Sequence, residues 1–279
     1  MDNDPILITG CSTGIGRAAA IRLAKKGHRV YASARRLETV TDIPGCEPLR
    51  LDVTDETSMQ TAVERINQEH GSVGSLVNNA GYGLHGAFET TDIDEARTQF
   101  ETNFFGLARL TQLVLPAMRA AGRGRIVNIS SMGGRFTFPG GAFYHASKHA
   151  VEAMSDALRF EVAGFGIEVV VIEPGVIKTP FVDTAIATVQ HSEDDDDPYS
   201  LFNQDLMLRF DSAYRGTISR FAASSPEAVA KVIERAIAAR RPRTRYVITA
   251  GARYLLVLRR ILPDRVFDHL LRSQYVQPR

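Results

Sequence analysis

Tyr144 and Lys148 stand four residues apart in Tyr144-His145-Ala146-Ser147-Lys148, at the start of a helical pattern. Residues i and i+4 lie one above the other on one helix face. An ammonium beside a phenol favours the phenolate and draws its pKa down from an ordinary value of about 10. Tyr144 is then usable as a general acid or base near neutral pH. The spacing is common by chance, so its weight comes from its surroundings. Just upstream, Ser130-Ser131-Met132-Gly133-Gly134 follows a run that reads as a buried strand.

A second chemical signal sits near the start of the chain, in Thr9-Gly10-Cys11-Ser12-Thr13-Gly14-Ile15-Gly16-Arg17. Glycines let a backbone turn tightly and approach a diphosphate, and the helix that follows offers free N–H groups and a positive dipole end. Gly10-Cys11-Ser12-Thr13-Gly14 also fits the G-x-S-x-G elbow of α/β-hydrolases. That elbow comes after several strands of its sheet, whereas nine residues precede Gly10 here. The hydrolase reading fails on position. After the next apolar run stand Arg35 and Arg36, where a cofactor with a free ribose 2′-hydroxyl would be met by Asp or Glu. Two guanidiniums suit a 2′-phosphate instead, which predicts NADP(H) over NAD(H).

These groups need elements to hold them. Short β-branched runs at residues 6–9, 29–34, 47–51, 75–78, 124–129, 167–173 and 245–249 predict strands. Helical patterns at residues 16–26, 56–70, 95–118, 143–164 and 226–240 lie between them. Continuously apolar strands such as Ile167-Glu168-Val169-Val170-Val171-Ile172 suit a parallel sheet covered on both faces. The alternation predicts a single Rossmann-like α/β domain over residues 1–279, a doubly wound parallel sheet of about seven strands with helices on both faces. The pattern breaks over residues 181–225, which read as a substrate lid, and residues 251–279 read as an amphipathic tail.

Taken in order, Thr9–Gly16 as T-G-x-x-x-G-I-G, Asn78-Asn79-Ala80-Gly81, Asn103, Ser131, Tyr144-x-x-x-Lys148 and Pro174-Gly175 resemble the short-chain dehydrogenase/reductases. The likeness covers roughly residues 5–180, and six separated motifs agree. Asn79-Ala80-Gly81-Tyr82-Gly83-Leu84 and Ile172-Glu173-Pro174-Gly175 are similar to the hydroxysteroid and retinol dehydrogenase branch. The resemblance implies a catalytic tetrad of Asn103, Ser131, Tyr144 and Lys148. Ser131 would polarise the substrate carbonyl and Tyr144 would pass the proton. Lys148 would bind the nicotinamide ribose and lower the tyrosine pKa, and Asn103 would hold a water linking Lys148 to solvent. Such donors act where negative charge develops. It further implies cofactor contacts at Gly10, Ser12, Thr13, Gly14, Ile15, Gly16, Arg35, Arg36, Asp52, Val53, Asn79, Ala80, Gly81, Pro174, Gly175, Ile177 and Thr179, besides Tyr144 and Lys148. Asp52 also reads as a helix cap and Thr179 as an ordinary turn residue. Met132, Phe138 and parts of the lid would line a substrate cleft. Phe202, Leu206, Met207 and Leu208 make that cleft apolar, which favours a hydrophobic ketone or secondary alcohol, steroid-, retinoid- or lipid-like. A homo-oligomer, dimer or tetramer, built on residues 95–118 and 143–164 is implied as well.

Composition narrows the alternatives. The 33 Lys and Arg balance 32 Asp and Glu, against the basic excess of a nucleic-acid binder. The balance hides an asymmetry: residues 209–279 carry a net charge of +10 and residues 1–208 a net of −9. Two cysteines, Cys11 and Cys46, make no disulfide framework, and the start Met1-Asp2-Asn3-Asp4 is acidic, so a cytoplasmic protein is expected. No apolar run approaches the roughly 18–20 residues of a membrane span. Tyr254-Leu255-Leu256-Val257-Leu258-Arg259-Arg260-Ile261-Leu262 is apolar and basic enough for weak contact with a membrane surface. His145 and His149 have a zinc-like spacing but no acidic or cysteine partner, and they read as surface or interface histidines, not a metal site. The run Glu193-Asp194-Asp195-Asp196-Asp197 reads as part of a solvated lid. Two rival functions accompany the reductase: a non-catalytic NADP(H) sensor on the same fold, and a peripheral membrane reductase of a small ketone or aldehyde.

Overall fold

The seven apolar runs become one parallel sheet in the computed structural model, which describes residues 4–189, 197–216 and 223–278. Its strands are β1 (Ile6–Ile8), β2 (Val30–Ala34), β3 (Cys46–Arg50), β4 (Ser75–Asn78), β5 (Gly124–Ile129), β6 (Ile167–Pro174) and β7 (Arg245–Ile248). Every boundary falls within one residue of the sequence reading. The order β3-β2-β1-β4-β5-β6-β7 reverses direction between β1 and β4. That reversal opens a crevice at the carboxyl ends of the strands, where ligands bind in such sheets.

Side chains alternate across the strands, so the sheet has two buried faces. Ile6 and Ile8 face α1 (Gly14–Lys25) and α8 (Pro226–Ala238), packing on Ala19, Leu23, Val229 and Ile233. Leu7, Leu76 and Ile126 face α2 (Glu56–His70) and α4 (Gly106–Ala121), meeting Met59, Ile66, Leu110 and Val114. Each such aliphatic side chain contributes about 1.5–3 kcal/mol on leaving water.

The helix expected over residues 95–118 is broken. It consists of α3 (Ile93–Phe100), a π-helical turn (Glu101–Phe105) and α4. Gly106 explains why the chain is crowded there, because a Cβ on it would collide with the Val53 carbonyl oxygen. Such turns often mark functional places, and this one buries Asn103 completely. Behind it, Asn78 Nδ2 donates to Thr111 Oγ1 (3.0 Å) and Asn128 Oδ1 (2.9 Å), and Asn128 Nδ2 donates to Ser155 Oγ (2.9 Å). These bonds fix β4 and β5 to α4 and to α5 (Ala142–Val162), the helix that carries Tyr144 and Lys148.

The region read as a lid supplies α6 (Phe181–Ala187) and α7 (Ser200–Arg215), and the tail supplies α9 (Ala250–Ile261) and α10 (Asp264–Arg272). Lid and tail share a third apolar cluster of Val182, Phe202, Leu206 and Phe210, with Phe138 and Tyr275 against it. Leu208, read as cleft-lining, points outward and is 71% exposed. Residues 193–196 of the acidic run lie outside the described residues. The charge asymmetry is partly met by pairing across the two parts. Arg245 of β7 binds Glu152 (3.0 Å), Asp156 (2.6 Å) and Glu173 (3.2 Å), all contributed by α5 and β6. Among the described residues no helix is long and apolar enough to cross a membrane.

Candidate active site

One cavity of about 1030 Å³ runs along the carboxyl ends of the strands. The turn after β1 contributes Gly10, Ser12, Thr13, Gly14 and Ile15, and the end of β2 contributes Arg35. The ends of β3 and β4 bring Asp52, Val53, Asn79, Ala80 and Gly81; β6 and the chain after it bring Pro174, Gly175, Ile177 and Thr179. Ser131, Tyr144 and Lys148 form a further part of the same wall, with Met132 and Phe138 beyond them. Of the lid residues read as cleft-forming, Phe202, Met207 and Leu208 do not line it, and neither do three residues of the catalytic and cofactor set. Gly16 is spent on packing: a Cβ there would collide with the Gly10 carbonyl oxygen and stand 2.5 Å from Asn79 Nδ2. Arg36 lies on the exposed turn beside Arg35. Asn103 lies behind Gly81, whose Cβ would come 2.8 Å from its Oδ1 and 3.6 Å from Lys148 Nζ.

Hydrogen bonds lock the glycine-rich turn to the turn after β4. Thr9 Oγ1 accepts from the N–H groups of Asn79 (2.9 Å) and Ala80 (3.0 Å), while Asn79 Nδ2 donates to the carbonyls of Thr9 (2.9 Å) and Gly10 (3.1 Å). The Asn79 side chain is therefore committed to the turn itself. Thr13 precedes α1 without a side-chain cap, so the first N–H groups of the helix are available to an anion in the cavity. Asp52 Oδ1 accepts from the Thr54 N–H (2.9 Å), and Asp55 caps α2.

The phenol is buried in the cavity wall. Lys148 Nζ donates to the Ile129 carbonyl (3.0 Å) and lies 6.0 Å from the centre of the Tyr144 ring. Burial pushes the Tyr144 pKa up, and a hydrogen bond with Ser131 offsets part of that rise. This departs from the expected lowering by Lys148. Burial pushes Lys148 down to about 8, with Glu152 opposing the fall, so the lysine still carries its charge at neutral pH. Ser131 starts a short turn, its Oγ accepting from the Gly133 N–H (3.0 Å). Asn103 Nδ2 donates to the Tyr82 carbonyl (2.9 Å) and Ser147 Oγ (3.1 Å), and its Oδ1 accepts from the Tyr82 N–H (3.0 Å). These bonds hold the chain at Gly81-Tyr82 against α5.

The lid read as cleft-lining supplies some of the remaining cavity residues, whereas His85 and the tail residues are not singled out from the sequence as part of the cleft. His85, Tyr214, Phe181 and Phe210 line the cavity with Tyr144, as do Leu255, Leu271, Gln274 and Tyr275 of the tail. The tail is latched to α7: the Val276 N–H donates to Asp205 Oδ2 (3.0 Å), and the Arg209 guanidinium lies 4.8 Å from the Tyr275 ring centre. His145 is a correction to the surface reading. It is fully buried, edge-on to Phe138 at 4.2 Å, with Nδ1 bonded to the Gly133 carbonyl at 2.9 Å. Among the described residues no group of three or more His, Cys, Asp or Glu is placed to hold a metal ion. Burial raises the Cys11 thiol to about 12, so it fills the turn as a small unreactive side chain.

Residues 4–190 match the family described as short chain dehydrogenase. The chain belongs to the short-chain dehydrogenase/reductase family. As a member of that family it is an oxidoreductase, and family members act on small-molecule carbonyls and alcohols. It is 36% identical to the uncharacterized oxidoreductase YbbO of Escherichia coli K12 over 271 residues, covering 96% of this chain and 94% of that one. Human 17-beta-hydroxysteroid dehydrogenase type 1 is 35% identical over 273 residues, with 93% and 81% covered. Among solved structures, a short-chain dehydrogenase from Streptomyces avermitilis superposes with a TM-score of 0.79 at 33% identity, covering 98% of this chain and 96% of that one. An actinorhodin polyketide ketoreductase variant solved with NADPH gives a TM-score of 0.74 at 31% identity, covering 90% and 97%.

Proposed function

We propose that this oxidoreductase is an NADP(H)-dependent ketone reductase or secondary-alcohol dehydrogenase acting on hydrophobic substrates, with Tyr144 as the general acid/base. The observation that carries this reading is the single cavity joining the glycine-rich turn and Arg35 at one end to Ser131, Tyr144 and Lys148 at the other. The cavity residues fit a dinucleotide. Free N–H groups at the start of α1 suit its diphosphate, Arg35 suits a 2′-phosphate, and Asp52, Val53 and Asn79–Gly81 border the stretch between. When bound, the cofactor supplies or accepts the hydride.

The chain's own groups manage the proton and the oxygen. Ser131 Oγ donates to the carbonyl oxygen and polarises it. Tyr144 donates its phenolic proton to that oxygen as negative charge builds, and takes it back in the reverse direction. The phenol's raised pKa keeps that proton in place until it is needed, and the Lys148 ammonium steadies the phenolate that results. Lys148 also offers its remaining donors to ribose hydroxyls. Asn103, bonded to Tyr82 and Ser147, keeps the wall at Gly81 close to Lys148 and holds a water that links this lysine to solvent.

Beyond Tyr144 the walls are Met132, Phe136, Phe138, Phe181, Leu206 and Phe210, which suits an apolar substrate body. The named activity of the human relative, on a hydroxysteroid, agrees with that chemistry. The test is a panel of ketones and secondary alcohols followed by NADPH absorbance, with NADH alongside. Turnover of apolar ketones with NADPH preferred supports the reading, and no turnover across the panel defeats it. Pairing of subunits through the 95–118 stretch and α5 is part of the same reading, supported by the exposed Phe105 and the 82% exposed Phe160; light scattering tests it.

A further inference from the structure

The wall beside Tyr144 contains one residue whose chemistry the apolar reading does not use. His85 is 2% exposed, its ring centre 5.3 Å from that of Tyr144 and 4.6 Å from that of Phe210, and it lines the cavity. Its main chain is pinned by a bond from the His85 N–H to Thr188 Oγ1 (3.0 Å), so the ring has a fixed seat. Nδ1 is enclosed, and the main chain of Gly83 beside it offers the ring a hydrogen bond. Burial, helped by the neighbouring His145, holds the His85 pKa down to about 3, so the ring is neutral throughout the working range. A neutral imidazole offers one donor and one acceptor. It suits a hydroxyl or an amine and has no charge with which to attract an anion.

We propose that His85 is a specificity residue that hydrogen-bonds a second polar group of the substrate, a hydroxyl or amine set close to the reacting carbonyl. The proposal rests on the ketone/alcohol reading above. Hydrogen bonds reach about 2.7–3.2 Å, and the two rings are neighbours. Tyr144 and His85 thus address groups roughly one to three carbons apart on one bound molecule. The rest of that molecule lies along Phe138, Leu206, Leu255 and Leu271. A second hollow of about 680 Å³ shares Phe138 and Leu271 with the first. The preferred substrate class is therefore a long apolar ketone with a β-hydroxyl or β-amino group, or the corresponding alcohol.

The test compares a straight-chain ketone with its β-hydroxy counterpart of equal length, using NADPH and the full chain. The wild type should favour the hydroxy ketone by about tenfold or more in kcat/KM. His85→Leu, which keeps the bulk and removes both nitrogens, should bring the ratio near one. His85→Asn, which keeps a hydrogen-bonding side chain, should retain part of the preference. A ratio unchanged in His85→Leu overturns the proposal, as does a wild type indifferent to the hydroxyl, which needs no variant to establish. Turnover of neither ketone removes the reductase reading and this proposal with it, so the two failures are told apart.

Discussion

The Lys148 ammonium lies 6.0 Å from the centre of the Tyr144 ring, one turn along the same helix, and both side chains are buried. Burial raises the phenol and lowers the lysine to about 8, so the phenol keeps its proton while the lysine comes nearer to the working pH. Tyr144→Phe removes the proton and little else. It should lower kcat/KM by about a thousandfold or more, while NADPH binding, read by fluorescence titration, changes little. Retention of most of the turnover would show that another group carries the proton.

Two neutral histidines tie stability to pH. Burial holds His85 down to about 3 and His145 to about 4, whereas an unfolded histidine titrates near 6.5. Because the folded values are the lower ones, the stabilisation is complete above pH 6.5 and is lost as pH falls toward 4. The loss should reach about 2 kcal/mol per histidine by pH 4.5. His145→Gln cannot titrate, so its urea midpoint should fall less between pH 7 and 4.5 than that of the wild type. Parallel slopes for the two proteins would contradict the argument.

Arg35 lines the cavity and Arg36 does not, so the two guanidiniums should not be equal. Arg35→Asp places a carboxylate where a 2′-phosphate would sit and where a free ribose hydroxyl prefers it. The NADPH/NADH ratio of kcat/KM should drop by about a hundredfold or more, on the scale of a lost buried charge pair. Arg36→Asp should move it much less. Equal effects, or none, would remove Arg35 from the cofactor site.

Local pattern made part of this legible in advance. Ile167–Pro174 is apolar enough to be a buried strand wherever it sits, and Tyr144 and Lys148 face the same way on any helix. Asn103 illustrates what pattern misses. Its π-helical turn accompanies Gly106 pressed against Val53, a contact between distant parts of the chain that periodicity does not register. Phe202, Leu206 and Leu208 read alike as apolar lid residues, yet only Leu206 reaches the cavity and Leu208 faces out. His85, Leu255 and Tyr275 reach the site through tertiary packing, and their neighbours in sequence carry no trace of it.

Gly16 is a test of packing in the glycine-rich turn. It lies within α1, away from the cavity, and a Cβ on it meets the Gly10 carbonyl and the Asn79 amide that closes the turn. Both partners belong to a locked hydrogen-bond set. Gly16→Ala should cost about 1–3 kcal/mol of stability by overpacking and weaken NADPH binding by displacing Gly10. Unaltered denaturation and cofactor affinity would mean that the turn gives way freely.

The tail should bear on substrate more than on cofactor. Leu255, Leu271 and Tyr275 line the cavity, and Asp205 latches the end of the tail by accepting from Val276 while pairing with Arg209 at 2.7 Å. These bonds are partly exposed, so losing both partners should cost about 1 kcal/mol or slightly more. Asp205→Ala should therefore speed amide exchange across residues 264–276 and raise KM for an apolar ketone about fivefold, since 1.4 kcal/mol is a tenfold change in an equilibrium. KM for NADPH should stay near that of the wild type, because the glycine-rich turn and Arg35 lie at the far end. Faster exchange with no change in the ketone KM would show that the tail covers the cavity without touching what it binds.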